Sequence, residues 1–361
     1  MKLRLLLISI AALTIVPIRP YADSAEKSKS AVQEIESAAR LFVNSLNAQQ
    51  REAAIFSFDE DERRDWHYIP RFRSGLELKK MNTQQKQHAW ALMRSALSEV
   101  GYDKVRGVLL LEQILRETEP WYSLLFFPRD PENFVFCFFG EPNAQKPWGW
   151  RMEGHHLSLN FTVVPGKGVA FTPAFFGASP ARVWDHHARA GLRILEREHT
   201  LGFQLIQMLT PEQLAVARVD EEAPGNIFSG PGNERRFQND RAGLAIRALN
   251  PQQRDVALAL VREYLFNIGP EFAERQWERA RAAGFENIRF VWAGSLTPDR
   301  PHYYRLAGPT MIIEYDNTQH GVNHAHSVWH DPENIFGEDL LKNHYEMSHN
   351  EQSHNHAHPH H

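Results

Sequence analysis

The chain has 361 residues, with 40 Lys or Arg against 44 Asp or Glu, so its charge is nearly balanced at −4. That balance excludes the strongly basic field on which nucleic-acid binding depends. Its only cysteine, Cys137, excludes an internal disulfide, and packing must hold the fold together.

The chain opens MKLRLLLISIAALTIVPIRPYADSAEK. Lys2 and Arg4 precede an apolar run from Leu5 to Val16, and small residues lie near Ala22 to Ala25. This is the pattern of a secretory signal peptide over residues 1–25, and the run is shorter than the roughly 20 residues of a spanning helix. The expected mature protein is exported, periplasmic or extracellular, with no transmembrane span. Residues 27–346 read as one large domain. Residues 27–50 show helical spacing through Ala31, Ile35, Ala38, Ala39, Phe42 and Leu46. Two further helices are expected at 83–100, with Thr83 as N-cap, and at 103–117.

From Trp121 to Val169 the pattern turns to β. YSLLFF, NFVFCFF, WGWRMEG and HHLSLNFTVV are aromatic and β-branched runs parted by turn residues. Cys137, within NFVFCFF, reads as a small buried hydrophobe. Helices return at 180–199, 211–219, 251–266 and 271–284, the last ending at Gly284. EAPGNIFSGPGNERRF reads as a surface loop, and IRFVWAGS, HYYRLAG and TMIIEYDN as closing strands. No internal repeat stands out. Strands and helices come in blocks, which implies an α+β fold with helices packed on a largely antiparallel sheet. Residues 347–361 read as a disordered His-rich tail, either a metal-capturing tract or a compositional oddity.

Two segments concentrate chemistry. On an extended HHLSLNF, His156, Ser158 and Asn160 share one face. On TMIIEYDN, Glu314 and Asp316 share a face, and two neighbouring carboxylates repel unless a cation or an arginine lies between them. Arg305 on the preceding run is one candidate partner and a metal another. Asn323-His-Ala-His326 then sets two imidazoles at i and i+2, able to approach one ion, with His330 and Asp331 as outer partners. Nucleophile-elbow, P-loop and dinucleotide fingerprints are absent. Asp185-His186-His187 reads as the surface of a helix, and Trp148 and Trp150 as core aromatics.

WGWRMEGHHLSLNFTVV, PAFFGASPARV, HYYRLAGPTMIIEYDNTQHGVNHAHSVWHD and FGEDLLKNHY, with RDWHYIP and GLELKKM upstream, occur in the order of a known family. The chain resembles the bacterial family of exported proteins catalogued as domain of unknown function 3500, over about residues 35–346. The resemblance implies no established activity. It does imply that both chemical segments belong to the family's pattern, whereas Asp185-His186-His187 and the tail do not.

The expectation is therefore a polar cleft in which His155, His156, His324 and His326 bind a transition metal, zinc first, with copper or iron as alternatives. Glu314 and Asp316 would be ligand or general base, and Arg305 an anion or oxyanion clamp. Asn160, Asn317, Gln319, Asn323, His330 and Asp331 would be substrate contacts or outer partners. The implied activity is metal-dependent hydrolysis of an unidentified small-molecule or peptide substrate. A non-catalytic envelope metal- or ligand-binding protein, a metal-dependent oxidoreductase, and a metal-free polar cleft or buried hydrogen-bond network are the alternatives.

Overall fold

The computed structural model describes residues 21–119 and 127–342, with 344 and 346. Residues 1–20, the expected strand YSLLFF except Phe127, and the tail from 347 lie outside the described residues. No described helix is long and apolar enough to cross a membrane.

Chain order gives α1 (Tyr21–Asn44), α2 (Ala48–Ala54), β1 (Ile55–Phe56), β2 (Leu76–Glu77), α3 (Thr83–Ala96) and α4 (Glu99–Thr118). Next come β3 (Val135–Phe139), β4 (Trp148–Gly154), β5 (Leu157–Val164), β6 (Gly168–Ala170) and β7 (Ala174–Ala178). The chain continues with α5 (Glu196–Gln207), α6 (Pro211–Ala217), β8 (Arg218–Asp220), β9 (Leu244–Ala245), α7 (Pro251–Leu265) and α8 (Pro270–Ala282). It ends in β10 (Arg289–Gly294), β11 (His302–Gly308), β12 (Met311–Gln319) and β13 (His324–His330). Among the described residues the thirteen strands form one sheet, ordered β1-β3-β4-β5-β7-β13-β12-β11-β10-β8, with β2, β6 and β9 beside this path. All pairs are antiparallel except β1 with β3 and β8 with β10. The fold is α+β, as its block order implies.

That strand order reads the same from either end, and the molecule is an internal repeat the sequence did not announce. Residues 131–164 align with 285–318 without a gap, keeping Glu132/Glu286, Asn133/Asn287, Phe136/Phe290, Gly140/Gly294, Arg151/Arg305 and Gly154/Gly308. Register follows: Arg151 pairs with Asn160 as Arg305 pairs with Glu314, and Leu76 pairs with Phe136 as Leu244 pairs with Phe290. Helix starts are wired alike as well. Asn47, Asn82, Thr210 and Asn250 each form a capping box with a Gln three residues on. Gln50 then donates to Gln85 at 3.0 Å, and Gln213 to Gln253 at 3.1 Å. The α3–α4 and α7–α8 corners meet each other through Ser98 N–H to Asn267 O (3.1 Å) and Gly269 N–H to Ala96 O (2.9 Å).

Several local expectations change. The helix expected over 27–50 is two, because the Asn47 cap starts a new one, and Asn82 rather than Thr83 caps α3. Most of 180–199 is turn rather than helix, since regular helix begins only at Glu196. His155 and His156 form the two-residue turn between β4 and β5 rather than the start of the strand, and His324 to His330 adds a strand beyond the three closing strands expected.

The sheet has two unlike faces. Helices cover one, burying Phe136, Trp150, Leu159, Tyr304, Ile313, Tyr315 and Trp329 with the apolar sides of α1, α3, α4, α5 and α7. Loops cover the other through a smaller cluster of Trp66, Tyr68, Phe175, Ile227, Val328, Ile335 and Phe336. Because side chains alternate along a strand, Glu314 and Asp316 turn towards the loops while Ile313 and Tyr315 turn towards the helices. The polar residues of the chain's most unusual segments thus gather under loop cover.

Candidate metal centre

The centre lies where the two halves meet, in β7 and β13. His324 and His326 are two apart on β13 and point to the loop-covered face. His156 approaches from the β4–β5 turn with φ 64°, a left-handed conformation uncommon for a residue with a side chain. Gly177 admits it: a Cβ there would stand 2.8 Å from the His156 ring, and Gly177 is the residue paired with His326. Backbone bonds lock the turn, His156 N–H to Tyr68 O (2.8 Å) and Gly177 N–H to His156 O (2.7 Å).

The three imidazoles converge through their Nε2 atoms. His156 Nε2 lies 2.7 Å from His324 Nε2, which lies 3.1 Å from His326 Nε2. All three rings are buried, and their ligand atoms lie within 4.8 Å of one another. Burial disfavours the charged form and holds His156 well below the usual histidine range, His324 at about 2 and His326 at about 3. The rings are therefore neutral, as a metal ligand must be.

One tautomer is fixed by hydrogen bonding. Asn226 Oδ1 accepts from Ile227 N–H (2.8 Å) and lies 2.8 Å from His326 Nδ1. The Ile227 N–H marks that atom as the amide oxygen, which can only accept, so His326 Nδ1 carries the proton. Its Nε2 then turns a bare lone pair into the cluster. This buried His triad could hold a metal ion.

Asp316 is the neighbouring carboxyl on β12, outside the three-histidine group itself. It pairs across the strands with His326, accepts from the Thr318 hydroxyl (2.7 Å), and is raised by burial to about 7. The Tyr68 ring stands 5.2 Å from that of His326, its hydroxyl pushed by burial up to about 12.

Other expected site residues do different work. His155 is not a fourth ligand of this cluster: its Nδ1 meets the Glu112 carboxylate at 2.7 Å and Arg129 at 2.7 Å, while its ring stacks on His156 at 3.8 Å. Glu314 is saturated by Ser229 N–H (2.7 Å), the Ser229 hydroxyl, Phe228 N–H (3.0 Å) and the Tyr303 hydroxyl (2.5 Å). It anchors the 226–229 segment, so the stretch expected as a surface loop is partly buried, with Asn226 on the triad. Arg305 donates to Asp240 and lies 3.6 Å over the Phe237 ring. Its counterpart Arg151 likewise donates to Glu62, in the loop of the first half. Equal behaviour in both halves assigns Arg305 to loop pinning.

Asn160 donates to Pro173 O (2.9 Å), Asn317 accepts from His324 N–H (3.2 Å), and Gln319 donates to Gly225 O (2.9 Å). Asn323 brackets Arg182, accepting from its N–H (2.7 Å) and donating to its carbonyl (3.1 Å). His330 donates to Ser229 O (2.8 Å), and Asp331 pairs with Arg279. These six hold strands and loops around the centre without joining the triad. His186 is exposed and His187 faces Glu117 at 3.6 Å, both in turns.

The sequence reading missed Tyr68, Gly177, Asn226, Ser229 and His320. Gly177, Tyr68 and His320 did lie in quoted motifs, PAFFGASPARV, RDWHYIP and HYYRLAGPTMIIEYDNTQHGVNHAHSVWHD. Asn226 carried no signal, because only the folded loop brings it to His326.

The model of the family described as "protein of unknown function (DUF3500)" matches residues 28–338. The chain belongs to this family. No curated protein and no solved structure matches it. The match spans both halves of the repeat, the triad, Asp316 and Asn226, and it stops before the His-rich tail.

Proposed function

We propose that this protein is a metal-dependent hydrolase built on a mononuclear centre of His156, His324 and His326, with zinc as the favoured ion and copper or iron as alternatives. The observation that carries this reading is the convergence of three buried, neutral imidazoles, one fixed in the tautomer that bares its Nε2. Three imidazoles with an open fourth position are a ligand set of catalytic zinc. An ion held there would supply Lewis acidity and lower the pKa of bound water from 15.7 towards about 7. Asp316, whose backbone pairs with that of His326, would take the proton of an attacking water and return it to the leaving group of an ester or amide. Asn226 orients His326 from outside. Lys2, Arg4 and the apolar run after them support export and action outside the cytoplasm.

The test is elemental analysis of protein lacking residues 347–361 and purified without metal-affinity resin. One transition-metal ion per chain, lost in a His324→Ala/His326→Ala variant, is expected. Protein that stays metal-free after reconstitution with zinc, copper and iron would sink the reading.

Burial of the triad, at 4%, 8% and 3% exposure for His156, His324 and His326, favours a second reading in which the ion is held without turnover. Azide added to the cobalt-substituted protein separates the two. A shifted visible spectrum means an open coordination position, and an unchanged one favours storage.

A further inference from the structure

His320 stands outside every reading so far. It is exposed, yet its Nδ1 lies 3.2 Å from Nδ1 of the buried His324. It is held there by an unusual turn. His320, Gly321 and Val322 take φ 49°, 68° and 64° in succession. Glycine accepts that region freely, whereas a β-branched valine there is a genuine outlier, the kind of local strain that persists at ligand clamps. Both ends of the turn are pinned. Asn323 N–H bonds Gln319 O at 3.1 Å, the Asn323 side chain brackets Arg182, and His324 N–H bonds Asn317 Oδ1. Between these pins the tip is open, with nothing within 4 Å of where a Gly321 Cβ would stand.

Resting on the metal reading above, we infer that His320 is a positioning residue for the metal centre, and that the strained turn exists to present it to His324. The chemistry is that of tautomers. To give Nε2 to an ion, neutral His324 must keep its proton on Nδ1. A buried N–H needs an acceptor, and the nitrogen facing it is His320 Nδ1. His320 thus does for His324 what Asn226 does for His326, and both neighbours on β13 are oriented from outside. Outer partners of this kind typically change metal affinity by roughly 10–100-fold.

The experiment is a cobalt(II) titration of the full chain with zinc competition, read by visible absorption. A buried low-coordinate nitrogen site gives intense bands, while six-coordinate, water-rich binding to a His-rich tract gives weak ones, so the signals separate without truncation. In His320→Ala, affinity at the intense-band site should fall roughly 10–100-fold with one ion still bound at saturation. His320→Asn, which keeps an acceptor, should recover most of it. Metal-free melting temperatures of both variants should match that of the parent.

An Ala variant with parental affinity and spectrum overturns the inference and leaves the triad reading standing. An Asn variant as weak as Ala overturns it too, because acceptance would not be what His320 supplies. A lowered metal-free melting temperature in the Ala variant would assign the loss to folding and also overturn it. Absence of the intense bands in the parent protein overturns the triad reading together with this one.

Discussion

The first half of the sheet and the second share a plan but not a chemistry. The turn between β4 and β5 is His155-His156, and its counterpart between β11 and β12 is Pro309-Thr310. Along the next strand Asn160 matches Glu314 and Thr162 matches Asp316. By contrast Gly75/Gly243, Gly140/Gly294, Arg151/Arg305 and the capping Asn82/Asn250 are the same in both halves, and each pair has the same structural duty. What the halves share builds the scaffold; what they do not share builds the centre. The repeat therefore works as an internal control on which residues deserve a functional role. It sets Arg305 with the scaffold and keeps Asp316 as a candidate.

Experiments can strain this contrast, and the largest effect should come from its sharpest difference. His156→Asn, which tolerates the left-handed turn, should reduce metal affinity by more than the roughly hundredfold that losing an outer partner costs. Gly177→Ala, which drives a methyl into the same ring, should give a smaller loss of the same kind. Isothermal titration checks both, and parental affinity in either variant would break the assignment.

The shared arginines come next. Arg151 is buried against the buried Glu153, with Glu62 half-buried beside it, so Arg151→Met should cost about 3–5 kcal/mol in urea unfolding, the range for breaking a buried pair. Arg305→Met, whose partner Asp240 is partly exposed, should cost less. Metal stoichiometry should survive in both; its loss in Arg305→Met would restore Arg305 to the site.

His302 stands where the first half has Trp148, and burial lowers it from 6.5 to about 4. Between those values the unfolded chain binds the proton that the fold refuses. Its contribution to stability is therefore intact above pH 6.5 and is lost as pH falls towards 4, up to about 3 kcal/mol. His302→Phe should flatten that part of the stability–pH curve, and an unchanged slope would deny the assignment. The smallest effect belongs to the caps. Asn82→Ala and Asn250→Ala should each cost about 1 kcal/mol and nearly the same amount, and a clear inequality in thermal melts would mark unequal wiring.

Much of this was legible from the residues alone. Period-two runs located β3, β4, β5 and β10 to β12, and the i, i+2 spacing of His324 and His326 put both on one face before any coordinates. The α+β class followed from block order. Legibility ended where long-range contact decides. His155 and His156 are adjacent, yet a turn sends one to Glu112 and the other to the triad. Glu314 and Asp316 share a strand face, but only the folded 226–229 segment shows that the first is saturated. The repeat was hidden because its identities are few and scattered along the aligned stretch, so no contiguous motif recurs.

The join between the halves has a consequence for how the chain is made. β7 and β13 are the strands that meet at the centre of the sheet, and each is the inner edge of its own half. Synthesis delivers β7 first, with its N–H and C=O groups unpaired until β13, far along the chain, arrives. An open strand edge is a template for pairing with another chain. A nascent or truncated first half should thus associate with copies of itself through β7, and the last strand to be made, the one that carries His324 and His326, is also the strand that closes this edge.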